Sequence, residues 1–377
     1  MTNQNTAGIY LHIPFCIQKC NYCDFCSTPC ANTTTMEQYT HRLADELRSA
    51  APTATAQTFD TVYFGGGTPT ILPPTRLASL LQTVKQHYTL TPDAEITLEC
   101  NPATADHADF ALLRQAGFNR LSIGAQSFDD GELSALGRAH NAAAIGETVA
   151  AARQAGFENI SLDLMYGIPH QTKDSFAASL QKAVALNVNH LSVYSLIIEE
   201  GTPFYDRFDA LPLPDEDTLC EMTDLLLHTL EHAGYHRYEI SNFARDGYRS
   251  RHNLHYWNLD DYLGFGPAAH SLWRGVRTGH SRDLAAYLDG KDITEPEEVL
   301  IPAAAMDEYV MLRLRLADGV EKAAFSGRFD ADFDVLYGNR AAPFVAAGLL
   351  TDSAERIAFT PRGFDVSNTV LAELIGE

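Results

Sequence analysis

Three cysteines fall within eight residues near the start of the chain, and they constrain the fold more than any other feature. Cys16, Cys20 and Cys23 follow the largely apolar run 9–15. Thiols this close together are hard to pair as disulfides without strain, whereas a soft metal or an iron–sulfur cluster uses all three at once. The spacing differs from the paired Cys-x-x-Cys units of structural zinc sites. The pattern favours an iron–sulfur cluster, with zinc or a fortuitous grouping as the alternative.

Composition narrows the classes of partner. The chain has 377 residues, 45% of them hydrophobic, and a formal net charge of −22. This acidic balance opposes nucleic-acid binding, which needs a basic surface. No apolar run approaches the roughly 18 residues of a membrane span, and residues 1–8 lack the basic region of a signal peptide. We therefore expect a cytoplasmic protein without a transmembrane span; peripheral membrane contact and a homodimer are both compatible with the sequence.

The number and placement of the cysteines also indicate the redox state of the cellular compartment. Five of the seven cysteines lie between Cys16 and Cys30. An odd number crowded into one segment is typical of metal chemistry in a reducing compartment rather than of a disulfide framework.

Hydrophobic periodicity alternates between strand and helix over the first 200 residues. Each pair of predicted strands is separated by a helix, and the strands are expected at 9–13, 61–64, 95–99, 120–125, 159–165 and 190–196. This order predicts an α/β fold in which a parallel sheet curls into a partial (β/α)6 barrel. We assign residues 1–210 to this barrel.

The pattern loosens after residue 210. We expect a helix at 215–233, a strand near 238–240 and a loop at 241–257, within an extension of the barrel region that covers 211–300. Residues 301–377 predict a small helical, winged-helix-like domain, with a break at Gly319 and a hairpin at 349–359. This domain holds seven basic and twelve acidic residues, so packing or partner contact is favoured over DNA binding.

Polar residues and glycines stand where the predicted strands end. Functional residues of such barrels gather at the carboxyl ends of the strands. The cysteines follow the first strand, the run Gly65-Gly66-Gly67-Thr68-Pro69 follows the second, and Glu99 and Gln126 end the third and fourth. Glycine lacks a Cβ atom, so its backbone can approach a small molecule closely; by itself the run also suits a tight turn.

The cysteine spacing together with the glycine run resembles the radical-SAM superfamily. The resemblance implies that Cys16, Cys20 and Cys23 hold a [4Fe–4S] cluster, whose open iron chelates the amino and carboxylate groups of S-adenosylmethionine. It further implies that Gly66, Gly67 and Thr68 cradle the amino group of the methionine moiety.

Further residues resemble the oxygen-independent coproporphyrinogen III oxidases and their relatives. By this resemblance, the residues expected to contact S-adenosylmethionine also include Tyr10, Tyr22, Glu99, Gln126, Arg138 and Asp163. Carboxylates suit the ribose hydroxyls, and an arginine fork suits the methionine carboxylate. For Asp163, an ordinary strand-end carboxylate is the alternative.

The chain departs from the oxidases in two places. Phe25 stands where they carry a further cysteine, and Cys26 follows one residue later; neither Cys26 nor Cys30 is a ready substitute. Only fifteen residues precede Cys16, where the oxidases have a longer segment that helps to hold substrate. Both departures disfavour decarboxylase activity.

The departures resemble instead the haem chaperones of the HemW type. Their further signature, His-Asn-x-x-Tyr-Trp, stands here as His252, Asn253, Tyr256 and Trp257. The resemblance implies haem binding by these residues, since histidine can ligate haem iron and aromatic rings can pack on a porphyrin. His255 and His270 are further candidate ligands. The alternative is a loop whose aromatic residues fill the edge of a core.

We therefore expect a haem chaperone that binds a [4Fe–4S] cluster, S-adenosylmethionine and haem. It would deliver haem to a haem-requiring apoprotein, for which a membrane-associated enzyme is the expected acceptor. The alternative is an oxygen-independent coproporphyrinogen III oxidase, which would need an electron donor and would decarboxylate coproporphyrinogen III to protoporphyrinogen IX. A third possibility is a zinc-stabilised barrel that serves only as an interaction module. This possibility predicts a colourless protein.

Overall fold

The computed structural model describes residues 6–29 and 32–376; Cys30 lies outside the described residues. The first part of the chain alternates strands with helices, as expected. Its elements are β1 Ala7–Ile13, β2 Phe15–Cys16, β3 Thr28–Pro29, α1 Thr33–Ala50, β4 Thr58–Gly66, α2 Pro74–His87, β5 Thr89–Cys100, α3 His107–Ala116, β6 Arg120–Gln126, α4 Asp130–Ala135, α5 Ala142–Gln154, β7 Asn159–Tyr166, α6 Lys173–Ala185 and β8 His190–Ser195.

Shorter elements follow in the middle of the chain, and a mainly helical unit ends it. The middle elements are α7 Glu216–His232, β9 His236–Arg237, β10 Asn242–Ala244, α8 Arg251–Trp257, β11 Tyr262–Phe265, β12 His270–Trp273, β13 Val276–Gly279, α9 Leu284–Leu288 and β14 Glu298–Val299. The last are α10 Pro302–Leu314, β15 Val320–Glu321, α11 Lys322–Phe329, α12 Asn339–Ala346, β16 Leu350–Asp352, β17 Arg356–Phe359, α13 Pro361–Asp365 and α14 Ser367–Ile375.

One large sheet organises the molecule. Its strand order is β14-β13-β12-β11-β1-β4-β5-β6-β7-β8-β10-β9. The six predicted strands β1, β4, β5, β6, β7 and β8 are parallel neighbours, which confirms the predicted sheet. A seventh parallel strand, β11, pairs with β1 on the other side. The order has two ends among the described residues, as in a partial barrel.

The core consists of a large cluster and a smaller one. Apolar side chains of the parallel strands and of the helices that cover them form the large cluster. The smaller cluster fills the unit that begins with α10, where β15, β17 and β16 form a separate sheet, and it confirms the expected C-terminal helical domain. Leu259 and Leu272 of the middle segment join this second core. The division into 1–210, 211–300 and 301–377 stays a prediction.

The predicted strand near 238–240 is wrong. These residues form the turn between β9 and β10. The Arg237 guanidinium donates to the main-chain carbonyls of Glu239 (3.1 Å) and Ile240 (2.7 Å). A side chain therefore takes the acceptors that a strand would use for its ladder.

The predicted loop at 241–257 is also wrong, because it contains β10 and the helix α8. Ser250 caps α8 by accepting from the Asn253 amide. The Glu95 carboxylate at the amino end of the barrel accepts from the amides of Arg251 (3.1 Å) and His252 (3.2 Å). These bonds satisfy amides that a helix start leaves open, and they place the His252 motif on a helix across the floor of the barrel.

Candidate functional site

The cysteine loop lies at the carboxyl end of the parallel strands, where two other segments anchor it. The short strands β2 and β3 pair at its two ends. The Asn21 side chain donates to the Ala135 carbonyl (2.9 Å), and the Asn21 carbonyl accepts from the Phe204 amide (3.0 Å). The loop is thus held by the end of α4 and by the segment that follows β8.

A cavity of about 390 Å³ lies beside this loop, a size typical of small-molecule sites. Most of the predicted site residues line it: Cys16, Cys20, Cys23, Tyr22, Gly66, Gly67, Thr68, Glu99, Gln126, Arg138 and Asp163. The structure therefore brings them together at the strand ends, while their individual contacts with cluster and S-adenosylmethionine stay predictions. Tyr10 is not among the lining residues; its hydroxyl bonds to His12 Nδ1 (3.0 Å) and its ring stacks on Tyr63.

The donor set of the three thiols suits an iron–sulfur cluster, because soft thiolates are its ordinary ligands. All three are unpaired and half-buried. Among the described residues, no three His, Cys, Asp or Glu side chains are grouped closely enough to hold one metal ion. Burial raises the pKa of Cys23 to about 11, so ionisation of this thiol would be coupled to metal binding.

Hydrogen-bond donors accompany two of the sulfurs. Arg138 Nη1 lies 3.6 Å from the Cys20 sulfur, and the Thr68 hydroxyl lies 3.7 Å from that of Cys16. Cys26 differs, because its thiol donates to the main-chain carbonyl of Arg282 (3.6 Å). The donors favour a negatively charged group at the three lining cysteines and leave Cys26 apart.

The glycine run joins the wall of the cavity to the cysteine strand. The Gly67 amide donates to the Ile13 carbonyl (2.8 Å), and the Thr68 amide donates to that of Phe15 (2.7 Å). A Cβ atom on Gly67 would lie 2.5 Å from the Phe15 carbonyl oxygen, and Gly66 has a left-handed φ of 112°. Close backbone approach, rather than a turn alone, requires glycine here.

Two carboxyl groups lie on the inner wall. Glu99 accepts from the Tyr63 hydroxyl (2.8 Å) and from the Gly66 amide (3.1 Å). Burial raises the pKa of Glu99 to about 7. Asp163 accepts from the Ser122 hydroxyl (3.1 Å), and burial raises its pKa as well. Both groups can present a hydrogen-bonding carboxyl to hydroxyls of a bound molecule.

Arg138 and Gln126 complete the wall next to the cysteines. Arg138 donates to the Gly124 carbonyl (2.7 Å) and to the Asn101 side chain. Its Nε atom has no partner among the described residues. A register shift between Gly124 and Gln126 and a left-handed φ of 64° at Gln126 mark an irregular end of β6. Such bulges redirect side chains near functional sites.

The predicted haem residues lie on α8, beneath the cavity. His252 is 1% exposed. Its Nδ1 bonds to the Thr61 hydroxyl (2.7 Å) and its Nε2 to the Tyr256 hydroxyl (2.8 Å). Asn253 lines the cavity, and Trp257 is half-buried. Haem ligation by His252 stays a prediction, and it would require the loss of one of the two hydrogen bonds.

The other candidate histidines differ sharply in surroundings. His255 contacts Asp60 through Nε2 (2.7 Å) and Asp260 through Nδ1 (3.5 Å). Burial alone would lower the pKa of His255, but the two carboxylates raise it to about 9. His255 therefore serves as a buried cation, whereas His270 is exposed on β12.

Sequence reasoning missed Arg120, which lines the floor of the cavity. The side chain is 2% exposed, and its Nε atom has no hydrogen-bond partner among the described residues. A charged residue at the start of an otherwise uncharged strand is the signal that could have found it, because a buried arginine needs anionic neighbours. Glu95 and Asp163 supply such neighbours and help to keep its pKa raised against the opposing effect of burial.

Comparison with known proteins assigns the family. The sequence model of the radical SAM superfamily matches residues 10–183, and that of the HemN C-terminal domain matches residues 300–366. A protein of Bacillus subtilis (strain 168) named "Heme chaperone HemW" is 35% identical over 98% of this chain and 99% of its own length. The chain belongs to the HemW family. The Escherichia coli (strain K12) protein of the same name is 34% identical over 98% of both chains.

A solved structure shows the same fold. The coproporphyrinogen III oxidase (HemN) of Escherichia coli, described as a radical SAM enzyme, superposes with a TM-score of 0.87 over 98% of this chain and 90% of that one, at 24% identity. The predicted radical-SAM fold and family are confirmed, and membership implies a [4Fe–4S] cluster and S-adenosylmethionine. Within the described residues, no helix has the length and apolarity needed to cross a membrane.

Proposed function

We propose that this protein is a haem chaperone that acts in the cytoplasm. It binds a [4Fe–4S] cluster, S-adenosylmethionine and haem, and it passes haem to a haem-requiring apoprotein. The observation that carries the proposal is the match over nearly the whole chain to proteins named heme chaperones. A full-length match supports a shared role more strongly than the barrel alone does, because one fold hosts many functions.

The residues of the cavity suit the two cofactors. Cys16, Cys20 and Cys23 would hold the cluster, which supplies an open iron and single electrons when bound. Arg138 lies next to Cys20, where its guanidinium can bind the methionine carboxylate. Glu99 and Asp163 can hydrogen-bond the ribose hydroxyls from the opposite wall.

The position of Phe25 favours the chaperone over the oxidase. Phe25 lines the cavity with 67% of its surface exposed, at the place where the oxidases carry a further cysteine. The chain therefore puts an aromatic ring where that thiol would stand. The likeness to the solved oxidase supports a common fold and leaves the reaction open.

One reconstituted sample tests both functions. The protein is loaded anaerobically with iron and sulfide, titrated with haemin, and assayed with reductant, S-adenosylmethionine and coproporphyrinogen III. We expect a saturable Soret change and no protoporphyrinogen IX. Product formed over several turnovers would assign the oxidase function, and the absence of haemin binding would refute the chaperone function.

A second assay addresses delivery. Protein loaded with haemin is mixed with respiratory membranes depleted of haem, and recovery of the membrane haem spectrum is followed. We expect faster recovery than with the same amount of haemin on serum albumin. Equal rates would remove delivery from the proposal.

A further inference from the structure

Large apolar side chains stand exposed at the mouth of the cavity. Phe25 of the cysteine loop is 67% exposed, and Tyr194 and Ile197, at and just after the end of β8, are 40% and 69% exposed. Phe25, Tyr194 and Ile197 line the same cavity as the three cysteines. We call these three residues the rim patch. Exposed apolar groups gathered at a polar cavity are typical of a binding surface.

The rim patch occupies two segments that are tied together. The Phe204 amide, in the segment after β8, donates to the Asn21 carbonyl of the cysteine loop (3.0 Å). Tyr22 of that loop packs in one apolar cluster with Leu196 and Ile198, the neighbours of Ile197. The apolar side chains therefore stand on a braced support and need no rearrangement to meet a ligand.

A cation adjoins the patch in a strongly acidic chain. Lys19 is the one basic residue between Ile17 and Ser27, and it is exposed. Arg282 also reaches this loop, but its guanidinium is engaged by both carboxylate oxygens of Asp24 (2.9 and 3.1 Å). Lys19 is thus placed to bind a carboxylate of a ligand whose body is apolar.

The motif helix offers no comparable surface. His252 is 1% exposed and both of its ring nitrogens are engaged. The amides at the start of α8 are bound to Glu95. A porphyrin could reach His252 only by displacing α8 from the floor of the barrel, whereas the rim patch is open.

From these observations we propose that the rim patch and Lys19 form the docking surface for haem. The macrocycle lies against Phe25, Tyr194 and Ile197, and a propionate meets Lys19. This inference rests on the proposed chaperone function and gives it a site. Aromatic side chains bury large areas and pack in offset-stacked or edge-to-face arrangements on other ring systems. None of the described residues that line the cavity is a histidine, so haem held here would keep an iron position that the acceptor can ligate.

Surface substitutions test the site without disturbing the core. The protein reconstituted with its cluster is titrated with haemin as the wild type, as the double variant Phe25→Ser with Ile197→Ser, and as Lys19→Glu. Val335→Ser is the matched control, because Val335 is 78% exposed in the C-terminal unit. Iron content and S-adenosylmethionine binding are measured on each sample to show that the cofactor cavity is intact.

We expect the double variant to bind haemin about tenfold more weakly or worse, since two large apolar contacts are lost. Lys19→Glu should weaken binding most at low salt, and Val335→Ser should match the wild type. Wild-type affinity in the double variant would overturn the docking site while the chaperone function stands. If the wild type itself binds no haemin, both the docking site and the chaperone function are refuted. Normal haemin affinity with lost delivery would assign the rim patch to the acceptor and also overturn the proposal.

Discussion

Substitution of His252 by alanine separates a haem ligand from a structural residue. The ring is buried and bonded at both nitrogens, and it stacks on Tyr63 with a centroid separation of 5.1 Å. Burial lowers the pKa of His252 well below its ordinary value, so the ring is neutral, with one nitrogen as donor and the other as acceptor. These contacts give the substitution a cost that does not depend on haem.

The size of the destabilisation expected for His252→Ala follows from the contacts that the substitution removes. Each hydrogen bond, to Thr61 and to Tyr256, contributes about 1 kcal/mol, and the stacking on Tyr63 adds about 1 kcal/mol. The space left by the ring adds a further penalty, which brings the total to about 3–4 kcal/mol, within the range for buried aromatic residues replaced by alanine. We expect the free energy of unfolding of His252→Ala to fall by that amount.

Denaturant unfolding measures the loss, and haemin titration under native conditions measures binding. His41→Ala is the matched control, because His41 is exposed on α1 and its loss should change stability by less than about 0.5 kcal/mol. We expect His252→Ala to be destabilised yet to bind haemin with the affinity of the wild type. Unchanged stability would refute the structural account of His252, whereas a folded variant that loses haemin binding would place haem on His252.

Three further predictions concern single groups. The pKa of Glu99 is about 7 in the folded chain against an ordinary 4.5, so the native state holds this proton more tightly. As the pH rises from 4.5 to 7, the free energy of unfolding of the cofactor-free chain should therefore fall by on the order of 3 kcal/mol. Unfolding midpoints measured at pH 5 and pH 8 should differ less for Glu99→Gln than for the wild type. The pKa of His255 is raised from 6.5 to about 9. The stabilisation that the charged ring gives to the fold is therefore full below pH 6.5 and should disappear as the pH rises to 9. In the same unfolding assay, His255→Gln should lack this loss of stability. Cys23→Ser should lose iron and sulfide after anaerobic reconstitution while Cys26→Ser retains them; iron lost from the Cys26 variant would make that cysteine a ligand.

The sequence was a good guide to the barrel and to the site because both depend on local patterns. Apolar runs with helices between them predicted six parallel strands, and the residues at their carboxyl ends had to meet at one edge of the sheet. The strand β11 is short and pairs in parallel with β1 from more than two hundred residues away, so no local signal marked it.

The features that the sequence did not predict also depend on long-range contacts. The helix α8 begins where Glu95, far away in sequence, accepts its first amides, and the turn after β9 is set by the Arg237 side chain. Arg120 was overlooked because its charge is balanced only after β5 and β7 bring Glu95 and Asp163 near it. The hydrophobic periodicity of a sequence contains no information on such long-range partners.

The position of the motif helix separates two roles that the sequence had combined. His252 stacks on Tyr63, the Tyr63 hydroxyl donates to Glu99, and Glu99 accepts from the Gly66 amide. This chain of contacts joins the floor of the barrel to the wall predicted to hold S-adenosylmethionine. Because the same ring is closed to solvent, the motif supports the cofactor cavity from below. We therefore expect haem at the open rim above it, as proposed, where an acceptor protein could reach it without unfolding the floor.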